Sequence, residues 1–272
     1  MNCPISIKKG LLLIAWYFFA SIASQADIQK TALIIAEQSK AVVVTVRVVL
    51  NVKRSMRGQT RDEERKTEAL GTIISNTGLT VASLSAVDPT TIVRAMIRRS
   101  GNLGNSIESE FKETTLILDD GTEVESDIVL RDSDLDMVFI KPRQAGSTFN
   151  TIKLQPSNKK LQLLDPVFVV GRLGKIGNRA ITLNMGRLQS LVKGPRPYYI
   201  CDATISANVG CIVYDALGDP IGILLTRQNA SVFSSGGSGF GGGQMIMPIL
   251  RSIKDLLEIA NQVQQPQLRQ DE

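Results

Sequence analysis

The 272-residue sequence contains no histidine. That absence removes every Ser–His and Cys–His nucleophilic pair, and with it the side chain that usually accepts a proton near neutral pH. Catalysis would fall to a carboxylate, a lysine or a bound metal. Cysteine is nearly as scarce: Cys3, Cys201 and Cys211 are the only three. Without histidine they do not complete the usual four-ligand zinc set, and no metal or cofactor is implied. Aromatic residues make up only 5% of the chain. The net charge is +5, and Lys8 and Lys9 supply two of those charges. Such a balance indicates neither nucleic acid nor an anionic membrane surface as partner. No apolar run reaches the roughly 20 residues that a membrane-spanning helix needs.

What is present starts with a secretory signal over residues 1–26. Lys8 and Lys9 precede the apolar stretch "GLLLIAWYFFASIA" (10–23), and "SQA" (24–26) supplies small residues for cleavage. Export to the periplasm or the medium is expected, with a retained membrane anchor as the alternative. Cys201 and Cys211 then lie ten positions apart in an oxidising compartment. A disulfide between them is expected, because turn-separated segments can come within bridging range. Two small buried thiols are the other reading.

A hydrophobic content of 43% is ample for a core, and the middle of the chain reads as β-rich. "AVVVTVRVVL" (41–50) is a β-branched run. "ALGTIISNTGLTVASLSAV" (69–87) gives two short strands around the Asn76–Gly78 turn, and Asp120–Gly121 marks a hairpin within 114–142. Further strands are expected over 165–174, 180–192 and 210–226. Short strands with regular turns argue for a barrel or a sandwich. Helical periodicity appears only over 28–41 and over 248–264, where Pro248 stands at a helix start. The mixed-charge stretches 53–68 and 94–113 read as solvated loops, with an anionic-ligand role as the alternative. The tail 265–272 reads as disordered.

Several motifs fail on context. "GSGFGG" (237–242) matches a dinucleotide fingerprint but lacks a strand before it and a helix after it. "DSDLD" (132–136) opens like a calcium loop, but Met137 stands where glycine is required and Arg143 where the closing glutamate belongs. Ser206 has no lysine partner that spacing nominates.

Four segments in order carry a resemblance to a known family. "ALGTIISNTGLTVASLSAV", "LILDDGTEVESDIVLRDSDLDMVFIK" (116–141), "CDATISANVGCIVYDALGDPIGI" (201–223) and "SSGGSGFGGGQMIMPI" (234–249) resemble the protease domain of HtrA-type, trypsin-like serine proteases over about residues 33–262. The resemblance implies an all-β fold, a chymotrypsin-like double six-stranded β-barrel with an N-terminal helical segment and a C-terminal helix, over residues 27–264. It also places the catalytic positions. The family's histidine falls on Ser85 and its aspartate on Asp136. Its serine falls on Val209, or on Gly210 if "CDATI" is aligned without a gap, and neither register yields a nucleophile.

The resemblance therefore implies a catalytically inactive homologue that binds an extended peptide or a partner-protein segment, with oligomers possible. The alternative is a serine- or cysteine-type endopeptidase with rebuilt chemistry, for instance with Cys211 as nucleophile. In the family the peptide lies along the strand corresponding here to Leu224, Leu225, Thr226 and Arg227.

Overall fold

The computed structural model describes residues 27–56, 58–99, 104–144, 146–155, 160–203, 208–228 and 246–264. Residues 1–26, expected to be a signal, Ser206, the stretch 237–242 and the tail 265–272 lie outside the described residues.

An N-terminal helix, α1 (27–40), leads into the first barrel. This barrel comprises β1 (Val43–Met56), β2 (Gln59–Ile73), β3 (Thr80–Ser83), β4 (Ser106–Ile117), β5 (Glu123–Asp132) and β6 (Met137–Pro142). Between β3 and β4 come the single turn α2 (Leu84–Val87) and the helix α3 (Thr90–Arg99). The second barrel comprises β7 (Pro166–Arg172), β8 (Ile181–Val192), β9 (Tyr198–Cys201), β10 (Ile212–Asp215), β11 (Pro220–Gln228) and β12 (Ile246–Ser252), followed by α4 (Ile253–Gln264). Both barrels are closed, in the orders β1-β2-β3-β6-β5-β4 and β10-β11-β12-β9-β8-β7, and every strand pairing is antiparallel. The expected double six-stranded barrel with helices at both ends is the observed fold.

Strand alternation divides the core in two. On β1, Val44, Val46, Val48, Leu50 and Val52 point into the first barrel, where Val138 and Ile140 of β6 meet them. The alternate residues Val43, Met137 and Phe139 join the second cluster, which fills the other barrel and the seam between the two. A strand buried on both faces loses its polar alternation, which is why "MVFI" (137–140) is uniformly apolar. Arg172, only 6% exposed, staples the seam. It donates to the Val43 carbonyl (2.7 Å), the Lys40 carbonyl and Asp119 Oδ1 (2.6 Å), tying β7 to α1, β1 and the β4–β5 turn.

The structure corrects four expectations. The stretch 53–68 is not a loop: β1 and β2 form a long ribbon, with β4 on the far side of β1. Lys53 stands between Asp62 and Glu108 in register, so the alternating charges are cross-strand partners. Likewise the described residues of 94–113 are mostly the end of α3 and most of β4. Pro248 lies inside β12, and Ser252 caps α4 by accepting the Asp255 N–H (3.2 Å).

Cys201 and Cys211 are unbridged and belong to the buried core. Cys201 ends β9 and Cys211 precedes β10, which are opposite strands of the second barrel. In either direction around the barrel three strand spacings of about 4.8 Å separate them, whereas a disulfide needs Cα atoms within about 6 Å.

Candidate functional site

Asp136 is the centre of the cleft between the barrels. It occupies the turn between β5 and β6 with φ +60°, a conformation that aspartate tolerates better than most residues. Its carboxylate is buried and collects donors from both barrels. Oδ1 accepts the Ser85 N–H (2.8 Å). Oδ2 accepts the Ser83 hydroxyl (2.6 Å) and both the N–H and the hydroxyl of Thr226 (2.8 Å each). The backbone closes the same turn, since the Asp136 carbonyl accepts the Leu84 N–H (3.0 Å). Burial pushes the Asp136 carboxyl above the usual carboxylate range, against the opposing pull of its four donors.

Ser85 thus stands beside Asp136. Ser83 places it there by capping α2, accepting the Ala86 N–H (3.3 Å). The Ser85 hydroxyl is hydrogen-bonded to Thr226 Oγ1 and to Ser83 Oγ (3.2 Å), two alcohols with no useful basicity. Ser85 is 5% exposed. Its hydroxyl supplies no base to the Asp136 carboxylate.

The turn 208–210 forms the other wall, and Val209 within it is 4% exposed. Val209 faces a hollow of about 210 Å³ shared with Leu70 and Ala86, the neighbour of Ser85. Gly210 holds the turn in place. Its N–H donates to the Leu224 carbonyl (2.7 Å), and its carbonyl accepts the Thr72 hydroxyl (3.1 Å). With φ +95°, and the Leu70 carbonyl 2.2 Å from where a Cβ would stand, only glycine fits.

A family model described as a trypsin-like peptidase domain matches residues 69–223, more than half of the chain. The chain belongs to the trypsin-like peptidase domain family. No curated protein matches it in sequence.

Within this trypsin-like domain the segment Leu224–Arg227 is not uniformly accessible. Leu224 and Leu225 are fully buried. The Leu224 N–H and carbonyl are both occupied, by the Cys211 carbonyl (2.9 Å) and the Gly210 N–H (2.7 Å). Thr226 lies opposite Pro248 in the β11–β12 ladder, and its N–H goes to Asp136 instead. In an antiparallel pair both peptide groups of a residue point to the same side. The Thr226 carbonyl therefore points away from β12, and so do the peptide groups of Gln228, two residues on. The edge that turns away from β12 runs from Thr226 to Gln228, past Arg227.

Sequence reading missed Ser83 and placed Thr226 only along the peptide-binding strand, not as the second hydroxyl that holds Asp136. The available signal was that "SLS" (83–85) begins with a helix-capping residue. Burial pushes the Cys211 thiol up to about 12 and the Cys201 thiol to about 11, which leaves both protonated. No group of three or more His, Cys, Asp or Glu side chains able to hold a metal occurs among the described residues.

Proposed function

We propose that this trypsin-like domain is an exported, HtrA-like, catalytically inactive homologue that binds extended peptide in the cleft between its barrels. One observation carries the loss of turnover. Where a proton relay would begin, the Asp136 carboxylate is occupied by Ser83, Ser85 and Thr226, and the turn across the cleft presents Val209. Acyl transfer by this fold needs an oriented base and a nucleophile, and a sequence without histidine has neither at these positions. A cysteine mechanism is opposed by the complete burial of Cys211. Binding requires less: a strand edge whose peptide groups face the cleft, as those of Thr226 and Gln228 do.

The test has two arms. The mature protein is expected to leave an unstructured protein substrate intact and to remain unlabelled by a serine-directed fluorophosphonate. It is also expected to gain thermal stability from members of an extended-peptide library. Gln228→Pro removes an edge N–H without touching the ladder to β12, so it should abolish that gain while leaving the unliganded Tm nearly unchanged. Stoichiometric labelling that one serine mutation removes would overturn inactivity. A library that shifts neither protein would overturn peptide binding.

A further inference from the structure

Beside Asp136 the cleft opens into a cavity of about 700 Å³, within the range of ordinary ligand pockets. Arginines converge on it from four elements: Arg94 and Arg98 from α3, Arg131 from β5, Arg227 from β11 and Arg251 from β12. Arg94 and Arg98 are one helical turn apart and so share a face of α3. Three carboxylates also line the cavity, but two are already engaged. Asp88 accepts the N–H and hydroxyl of Thr90 (3.0 and 2.6 Å) and the Ser109 hydroxyl (2.6 Å). Asp136 is held as described above, and Asp134 is exposed at the rim. Among the described residues, none of the five arginines forms an ion pair.

Arg251 separates this cavity from an ordinary solvated surface. It is 5% exposed, donates through Nη1 to the Arg196 carbonyl (3.1 Å), and has an Nε with no hydrogen-bond partner among the described residues. Arg227 lies 4.8 Å from the centroid of the Tyr198 ring, and Arg251 lies 5.5 Å from the same centroid. Two like charges therefore gather on one ring, one of them buried, an arrangement that a counter-anion stabilises.

We propose that the cavity is an anion pocket that receives acidic side chains of the peptide lying along the Thr226–Gln228 edge. The inference rests on the peptide-binding reading of the cleft and adds the class of ligand. Thr226 and Arg227 belong both to the edge and to the cavity wall, so a residue paired at that edge is within reach of the arginines. The guanidiniums are suited to this, because each presents a planar fork matching a carboxylate.

Two peptide libraries decide it, identical except that every Asp and Glu of the first is Asn or Gln in the second. Binding to the wild type and to Arg98→Gln/Arg227→Gln is read by fluorescence anisotropy. Both substituted arginines are exposed, and unchanged Tm confirms the fold. Acidic peptides are expected to bind about tenfold or more tightly than their amide twins, the scale of a charged hydrogen bond. In the double variant the preference should fall to roughly threefold or less, and added salt should erode it in the wild type. Equal affinity for the twins overturns the anion pocket and leaves peptide binding standing. A preference that survives in the double variant overturns its placement at these arginines. Retention of neither library overturns both readings.

Discussion

On the first-barrel side of the cleft, Asp136 keeps a polar side chain and surrounds it with donors from Ser83, Ser85 and Thr226. On the second-barrel side, the 208–210 turn keeps its backbone geometry through Gly210 but presents an apolar side chain at Val209. The two walls share one property. Asp136 takes hydrogen bonds from β3 and α2 of one barrel and from β11 of the other, and Gly210 of the second barrel is bonded to Thr72 and packed on Leu70 of the first. Groups that join the barrels are held by folding whether or not the cleft turns over a substrate. A side chain that would serve only proton transfer or attack has no such hold.

Removing Asp136 is the most direct way to break this comparison, and it should have the largest effect. Asp136→Ala leaves two hydroxyls and two backbone N–H groups facing a buried void, a loss of about 4 kcal/mol in urea or guanidinium unfolding. Asp136→Asn keeps the shape, tolerates the positive φ and should cost about half as much. The pair also reports on charge. Burial raises the folded pKa of Asp136 above its unfolded value of about 4. The native state therefore holds this proton more tightly. Its contribution to stability is fully present below the unfolded pKa and is lost as pH rises through the folded one. Wild type should accordingly gain on Asp136→Asn as pH falls from neutrality towards about 4. A gap that narrows over that range would show that the donors outweigh burial.

Gly210→Ala probes the opposite wall. A methyl group would collide with the Leu70 carbonyl at a φ that disfavours side chains, so we expect about 3 kcal/mol of destabilisation. A loss under about 1 kcal/mol would mean that the turn relaxes freely and does not join the barrels.

How much of this was legible in the sequence depended on whether a residue's partner was local. The Gly78 and Gly121 turns and the strands around them followed from short-range pattern, and the double barrel from family order. The β1–β2 ribbon did not, because charges on both faces hide a two-residue period. Its logic appears only once Lys53 is seen between Asp62 and Glu108. Pro248 resembled a helix start, yet its strand tolerates it because the Thr226 carbonyl opposite it points away from β12 and calls for no proline N–H. The cysteines looked bridgeable at ten positions apart, but barrel closure sets them on opposite strands. The arginine cavity was hidden for the same reason: it is assembled from α3, β5, β11 and β12, and only the spacing of Arg94 and Arg98 was visible locally.

Thr226→Val separates the side-chain part of the Asp136 contacts from the backbone part. The substitution is nearly isosteric, removes the hydroxyl shared by Asp136 and Ser85, and keeps the Thr226 N–H in place. A loss of about 2 kcal/mol is expected, the scale of a hydrogen bond to a charged acceptor. In a double-mutant cycle with Asp136→Asn the two losses should be clearly less than additive, and strict additivity would show that they act separately.

The smallest effect is expected where turnover would have been largest. Val209→Ser trades two buried methyl groups for a hydroxyl, but the side chain borders a hollow where that hydroxyl can meet water. The cost should therefore be only about 1 kcal/mol, below that of a methyl deletion in a closed core. The new serine should not react with a fluorophosphonate, because Ser85 offers no base and the Asp136 carboxylate is engaged by its own donors. Adding Ser85→His is the stricter version. An imidazole at that position must displace the Ser85–Thr226 contact and find its Nδ1–H partner on an Asp136 oxygen that already accepts other bonds. We expect the double variant to lose more stability than Val209→Ser alone and still to label slowly and incompletely. Rapid, stoichiometric labelling of Val209→Ser/Ser85→His would show that the cleft kept a catalytic geometry and lost only two side chains. In that event the contrast between the walls would be one of side-chain identity alone, and the hydroxyls around Asp136 would be easily exchanged.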